Sequence, residues 1–206
     1  MNTLDEEFET IKKFGKNYKK YLRKGKNIKF GSKEHLNKLR LAFIKNRPEN
    51  LDQAKKSRST VPDKGVYEYL KSKNNVNESD IEKIKEHHIQ VMDAENKLGY
   101  YLEEFIYSKI KKNGWIWCTG NILRSIDFIK EDRSKKTMWN MLQIKMSDNS
   151  ENSSSSKVRK GTQIRHWFRR FSQREEYNWN TLAEITGVED LTEENFLEFL
   201  RNKAKN

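Results

Sequence analysis

Four polar side chains in the second half of the chain stand where apolar residues would be easier to bury. Glu103 lies on a helical run, Asp127 interrupts the apolar stretch LRSIDFI, and Gln143 and Lys145 alternate along WNMLQIKM. Burying a carboxylate such as Asp127 costs several kcal/mol unless a cation or hydrogen-bond donors compensate. A metal ion would supply that compensation. Gln143 and Lys145 are two positions apart, so on a strand both point the same way, roughly 7 Å apart along the backbone. An oxygen ligand for a hard cation and an ammonium would then share one pocket. Taken singly, each residue has a plainer explanation: an aspartate at a strand end also serves as a turn or cap residue, and an isolated Gln-x-Lys is uninformative. The joint order and spacing carry the reading.

The elements that must position these residues follow from periodicity. Ser79 or Asp80 is a candidate N-cap for a helix whose apolar positions Ile81, Ile84, His88 and Val91 continue through Leu98, Leu102, Phe105, Ile106 and Ile110, ending near Gly114. After that glycine the period changes to that of strands, first over 115–118 and 121–129 with Gly120 as turn or bulge, then over 139–146. Leu4, Phe8, Ile11 and Phe14 recur at helical spacing, as do Leu36, Leu39, Ala42 and Phe43, so the first half reads as helical. Ile164, Trp167, Phe168 and Phe171 sit at i, i+3, i+4, i+7 and predict a further helix, with Arg165, His166, Arg169 and Arg170 on its other face. The fold class expected is α+β with an α/β core. A helical N-terminal region spans 1–80 and a core spans 81–206, with a loop and helix at 147–174 and an acidic tail at 175–206.

Charge is segregated along the chain. The 206 residues hold 42 Lys+Arg against 30 Asp+Glu, a net +12. Residues 11–30 carry nine Lys/Arg and no acid, with Phe14, Tyr18, Tyr21 and Phe30 interleaved, whereas 175–206 carry eight acids and three bases. Such clustering is the electrostatic footprint expected for a polyanion, although solvated helix faces would also account for it. The stretch 147–156, SDNSENSSSS, reads as a linker by composition, yet it leaves a strand and enters the arginine-rich segment, which favours a nucleic-acid contact. The candidate DNA-contacting residues are Ser147, Asn149, Asn152, Ser153, Ser154, Ser155, Lys157, Arg159, Lys160, Thr162, Gln163, Arg165, His166, Arg169 and Arg170. A lone cysteine, Cys118, excludes an intramolecular disulfide and a cysteine-based zinc site. No apolar run is long enough to span a membrane and no secretory signal opens the sequence, which predicts an intracellular protein.

The order Gly99, Leu102, Glu103 on a helix, Asp127 at a strand end, and Gln143-x-Lys145 on the next strand resembles the PD-(D/E)xK nuclease superfamily. The stretch from Asp127 through LQIKMSDNSENSSSSKVRKGTQIRHWFRR is similar to type II restriction endonucleases of the SinI kind. The resemblance covers about residues 95–180. Two positions depart from the superfamily pattern: Ile126 stands in place of proline, and Gln143 in place of the second acid, where an amide oxygen is a weaker ligand for a hard cation. The resemblance implies a restriction-endonuclease-like mixed sheet and Mg²⁺, one or two per site, held by Asp127, Gln143 and Glu103. Glu104 is the less favoured helix acid and Glu95 the third candidate. It further implies that Lys145 stands beside the attacking water, that double-stranded DNA is cut at a GGWCC-like sequence to leave 5′-phosphates, that the enzyme is a homodimer in the cytoplasm of a bacterial or archaeal cell, and that a separate DNA methyltransferase protects the host. Two rivals remain open at this level: a structure-specific repair nuclease on the same core, and a non-catalytic nucleic-acid-binding protein in which Asp127 is structural.

Overall fold

The computed structural model describes residues 3–50, 63–132, 134, 138–149 and 160–205. The chain divides into two compact units, Met1–Leu51 with Leu102–Asn206, and Asp52–Tyr101. The first unit therefore draws on both ends of the sequence and holds all four chemically conspicuous residues.

In the first unit, α1 (Leu4–Asn17) starts at a capping box between Thr3 and Glu6 and buries Phe8, Ile11 and Phe14. Helix α2 (Lys33–Lys45) is capped by Ser32 and buries Leu39 and Phe43. The second unit contains α3 (Lys64–Asn74), capped by Asp63, and the first part of α4 (Glu78–Ile110), which continues into the first unit. The start of α4 lies slightly earlier than Ser79 or Asp80: the Asn77 side chain accepts from the Asp80 N–H at 2.9 Å, which makes Asn77 the cap. Within the second unit Tyr67 and Ile81 are buried, but Ile84 and Val91 are exposed, so the stripe expected along this half of α4 is only partly inward. The helix ends in a 3-10 turn, Lys111–Asn113, with Gly114 left-handed at φ 81°.

The sheet of the first unit has order β1-β2-β3-β4, with β1 (Ile116–Trp117), β2 (Phe128–Asp132), β3 (Met138–Ser147) and β4 (Ile164–Arg170). The first three strands run antiparallel and β4 lies parallel to β3, giving the mixed sheet of an α+β, restriction-endonuclease-like fold. The stretch before β2 is mostly not a strand: Gly120, Asn121 and Ser125 all have positive φ. A side chain at Gly120 would place its Cβ 2.4 Å from the Ala42 carbonyl oxygen, so glycine is what lets this connection press against α2.

One row across the sheet, Ile116, Ile129, Met141 and Ile164 in register, packs with Phe8, Ile11 and Phe14 of α1 and Phe43 of α2 in a single core. A second aromatic cluster joins the sheet to its other helices. The Trp167 ring centroid lies 5.2 Å from that of Trp179, and Phe105 of α4 lies 5.8 Å from Trp179 and 5.4 Å from Phe196. Trp179 opens α5 (Trp179–Thr186) and Phe196 belongs to α6 (Glu193–Lys203). The acidic segment 175–206 is thus folded, and its carboxylates pair across elements: Glu193 with Arg169 and Asp190 with Lys109.

Residues 164–170 overturn the helix expected from the i, i+3, i+4, i+7 stripe. Burial along the seven residues follows neither period strictly, with Arg165 and Arg170 exposed and Ile164, Trp167 and Arg169 buried, so both faces of the segment are partly covered. A short aromatic and β-branched run fits either period. Pairing with β3 from Met141↔Ile164 to Ser147↔Arg170 decides the outcome, because both partners fill backbone hydrogen bonds that a helix would have made locally.

Candidate active site

Asp127 immediately precedes β2 and is held to β3 twice. Its N–H donates to the Leu142 carbonyl at 2.9 Å, and its Oδ2 accepts from the Ile144 N–H at 2.7 Å. Leu142 and Ile144 flank Gln143, so main chain and side chain of the aspartate grip the strand on either side of that residue. Across the other neighbour, the Cys118 N–H donates to the Asp127 carbonyl at 2.8 Å. The aspartate is fixed by backbone groups on both sides and cannot swing without breaking the sheet pairing.

Gln143 is 3 % exposed, and its Oε1 is buried without a hydrogen-bond partner. A buried amide oxygen left in this state costs about 1–3 kcal/mol. Glu103 approaches from α4 and is oriented by Trp117 of β1, whose indole Nε1–H donates to Oε2 at 2.7 Å. Burial pushes the Glu103 carboxyl well above the usual carboxylate range; the negative charge of Asp127 pushes in the same direction, and the Trp117 hydrogen bond and the Lys145 charge oppose both. Asp127 is pushed up to about 6 by burial, against the Ile144 N–H and Lys145. Glu103, Asp127 and Lys145 are thus close enough to sense one another's charge, with Gln143 between the two points where Asp127 grips β3.

This donor set fits a hard divalent cation. Two carboxylates whose charge is disfavoured together, plus an amide oxygen lacking a donor, are oxygen ligands of the kind Mg²⁺ accepts alongside water and a phosphate. No group of three or more His, Cys, Asp and Glu forms among the described residues. Glu104, by contrast, pairs with Lys203 at 2.6 Å, and Glu95 is exposed in the second unit.

The DNA-contact candidates divide. Asn149, Lys160, Gln163, Arg165 and Arg170 are exposed. Arg169, by contrast, is 8 % exposed, bonds Glu193 at 2.5 Å and lies over the Tyr177 and Phe196 rings, so its guanidinium is committed to the fold. The strand period puts Arg169 on the side of Trp167 and Arg165, opposite Arg170, and the Glu193 carboxylate is what engages Arg169 there. Ser147 is buried and donates to Asn149 Oδ1 at 2.6 Å, Thr162 accepts from the Ile164 N–H, and His166 is half-buried near the Phe168 ring. Asn152, Ser153, Ser154, Ser155, Lys157 and Arg159 lie outside the described residues.

Sequence reasoning missed the support behind Glu103. Arg47 is 1 % exposed, pairs with Glu7, donates to the Trp117 carbonyl at 3.2 Å and stacks over Phe43, Tyr107 and Trp117. Tyr107 donates to the other oxygen of Glu7. Burial is the main influence raising the Glu7 carboxyl above its ordinary range, and Arg47 and Tyr107 counter it. No local pattern could have announced this network, whose members come from α1, the turn after α2, α4 and β1.

A family model described as SinI restriction endonuclease matches residues 3–205. The chain is 40 % identical over 174 residues to the type II restriction enzyme Eco47I of Escherichia coli, covering 84 % of this chain and 74 % of that one. It is 38 % identical over 173 residues to the type II restriction enzyme SinI of Salmonella infantis, with the same coverage of each. Those matches span both the sheet with its polar cluster and the helices that brace it, and on them the chain belongs to the SinI restriction endonuclease family, with the activity of a type II site-specific deoxyribonuclease.

Proposed function

We propose that the protein hydrolyses double-stranded DNA at a short twofold sequence of GGWCC type, with Mg²⁺ held by Asp127, Gln143 and Glu103, leaving 5′-phosphates. The observation that carries this reading is the unpartnered Gln143 oxygen lying where Asp127 is clamped to β3, within electrostatic reach of Glu103 and Lys145. When bound, Mg²⁺ supplies Lewis-acid polarisation of the phosphate and acidifies water at the site.

The chain's own residues do the rest. Asp127 presents one fixed carboxylate, because Ile144 occupies Oδ2. Glu103 is oriented by Trp117, so the second carboxylate needs little reordering. Lys145 places a positive charge beside the attacking water, favouring hydroxide and offsetting the negative charge that accumulates on the phosphoryl oxygens in the transition state. Exposed Asn149, Lys160, Gln163, Arg165 and Arg170 are the groups offered to the duplex, and α1 and α2 brace the core of the sheet. A twofold target needs two active sites, which calls for a homodimer. A separate methyltransferase protects the host's own sites without having to touch this protein. No helix among the described residues is long and apolar enough to cross a membrane, and the enzyme acts on DNA in the cytoplasm.

Digestion of a sequenced plasmid tests the reading. Wild type with Mg²⁺ gives discrete fragments whose ends read out the target; EDTA and Lys145→Ala each abolish cleavage, while Lys145→Ala still binds DNA. Discrete cleavage by Lys145→Ala at the wild-type rate would remove this lysine from the chemistry.

A further inference from the structure

The basic run 11–30 is not used by the site above. Its second half joins α2 around a cleft of about 360 Å³ lined by Arg23, Lys24, Lys26 and Lys38, with Leu39 and Ile122 among its apolar wall. All four cationic side chains are exposed, and none forms an ion pair among the described residues, whereas Lys12, Lys13 and Arg40 nearby are paired with Glu9, Glu131 and Asp5. No carboxylate lines the cleft. Like charges gathered without counter-charges repel one another, so the arrangement is favourable only when an external anion joins it.

The loop carrying these charges is preset. His35, fully buried, accepts from the Gly31 N–H at Nδ1 (3.1 Å), and its Nε2 meets the Arg23 carbonyl at 2.8 Å, so one imidazole ties both ends of the 23–31 loop. The Arg23 N–H donates to the Ile122 carbonyl at 2.9 Å, and the Arg124 N–H donates to the Tyr21 carbonyl at 2.8 Å. The basic loop is therefore laced to the segment that runs into Asp127. Ile122 lies five residues before Asp127, at most about 18 Å of extended chain. Duplex DNA rises about 3.4 Å per base pair, so a duplex that runs from Asp127 toward the cleft reaches it within about five base pairs.

We propose that this cleft binds the sugar-phosphate backbone of the substrate duplex beside the cleavage site, independently of sequence. The proposal rests on the reading that Asp127 engages DNA. The wall offers cations and aliphatic carbon, and its one ring, the His35 imidazole, is fully buried with both nitrogens engaged by Gly31 and Arg23, so no exposed ring is offered for a base to stack on, which favours backbone phosphates over a free nucleotide.

The test measures binding of a duplex of arbitrary sequence in EDTA as salt is varied, so that neither metal nor cleavage enters the readout. It compares wild type, a variant carrying Arg23→Gln, Lys24→Gln, Lys26→Gln and Lys38→Gln, and a control carrying Lys64→Gln, Lys73→Gln, Lys112→Gln and Lys205→Gln, with melting curves confirming that each is folded. The cleft variant is expected to lose at least tenfold in affinity near physiological salt. Its slope of log affinity against log salt should fall by about 2–4, at about 0.9 per lost phosphate contact, while the control changes little. An unchanged slope in the cleft variant, or an equal loss in the control, would overturn the proposal. Failure of the DNA reading itself looks different: the wild type would then show no salt-dependent duplex binding at all.

Discussion

Trp117 Nε1–H donates to Glu103 Oε2 at 2.7 Å, linking the first strand of the sheet to the carboxylate that α4 delivers. Behind the tryptophan, Arg47 bonds its carbonyl and covers its ring, so the orientation of one acid is set by residues from four elements.

Replacing Trp117 by phenylalanine keeps a ring in the core and removes only the indole donor. A hydrogen bond to a charged group contributes about 1.5–3 kcal/mol, so Trp117→Phe should raise the Mg²⁺ concentration needed for half-maximal cleavage by roughly tenfold or more. A Mg²⁺ titration of the cleavage rate reads this directly, and an unshifted midpoint would deny Trp117 its orienting role.

Asp127→Asn should do opposite things to activity and to stability. Cleavage with Mg²⁺ should be lost, because a fixed anionic ligand is gone. The metal-free protein should melt higher than wild type near pH 8, because a poorly solvated charge facing Glu103 has been removed. A lower melting temperature for the variant under those conditions would contradict the account.

The pH dependence of the metal-free protein has a definite sign. Asp127 moves from an ordinary 3.8 to about 6 on folding, and Glu103 also moves upward, so between these values the folded state holds more protons than the unfolded one. The stability from Asp127 is fully present below about pH 4 and is lost as pH rises through about 6, and Glu103, raised by the same burial, contributes with the same sign. Unfolding in EDTA should therefore show wild type losing stability relative to Asp127→Asn across that window. Mg²⁺, which competes with protons for these carboxylates, should bind more weakly below about pH 6.

Gln143→Glu restores the acid at the position where the superfamily pattern carries one. A third carboxylate in a pocket whose two existing acids are already pushed upward should destabilise the metal-free fold by about 3 kcal/mol and tighten Mg²⁺ binding. Calorimetric metal titration and melting with and without EDTA separate the two effects.

Arg47→Met leaves Glu7 buried beside Tyr107 without its cation, which should cost about 3–5 kcal/mol. Adding Glu7→Gln should recover part of that loss. Urea unfolding of the two single variants and the double variant supplies the cycle; strict additivity would mean the pair is not coupled.

How far the sequence determined this protein can be read residue by residue. Helical periods located α1, α2 and the part of α4 that ends at Gly114, because amphipathic helices and left-handed glycine stops are local properties. Glu103, Asp127, Gln143 and Lys145 stand out in the sequence because polar residues at positions suited to burial violate local expectation, a conflict that concentrates at functional sites. What only the tertiary structure decided depends on partners far away in sequence. Residues 164–170 suit helix and strand alike, and pairing with β3 made them a strand and turned Arg169 inward onto Glu193, 24 positions later. Arg47 carried no local mark, since its burial is tolerable only with Glu7, 40 positions earlier, and the Trp117 carbonyl, 70 positions later. Local pattern fixes which elements can form and which residues are out of place. The choice between two compatible periods, and the pairing of each buried charge, belongs to long-range contacts, because only they can compensate the desolvation that burial imposes.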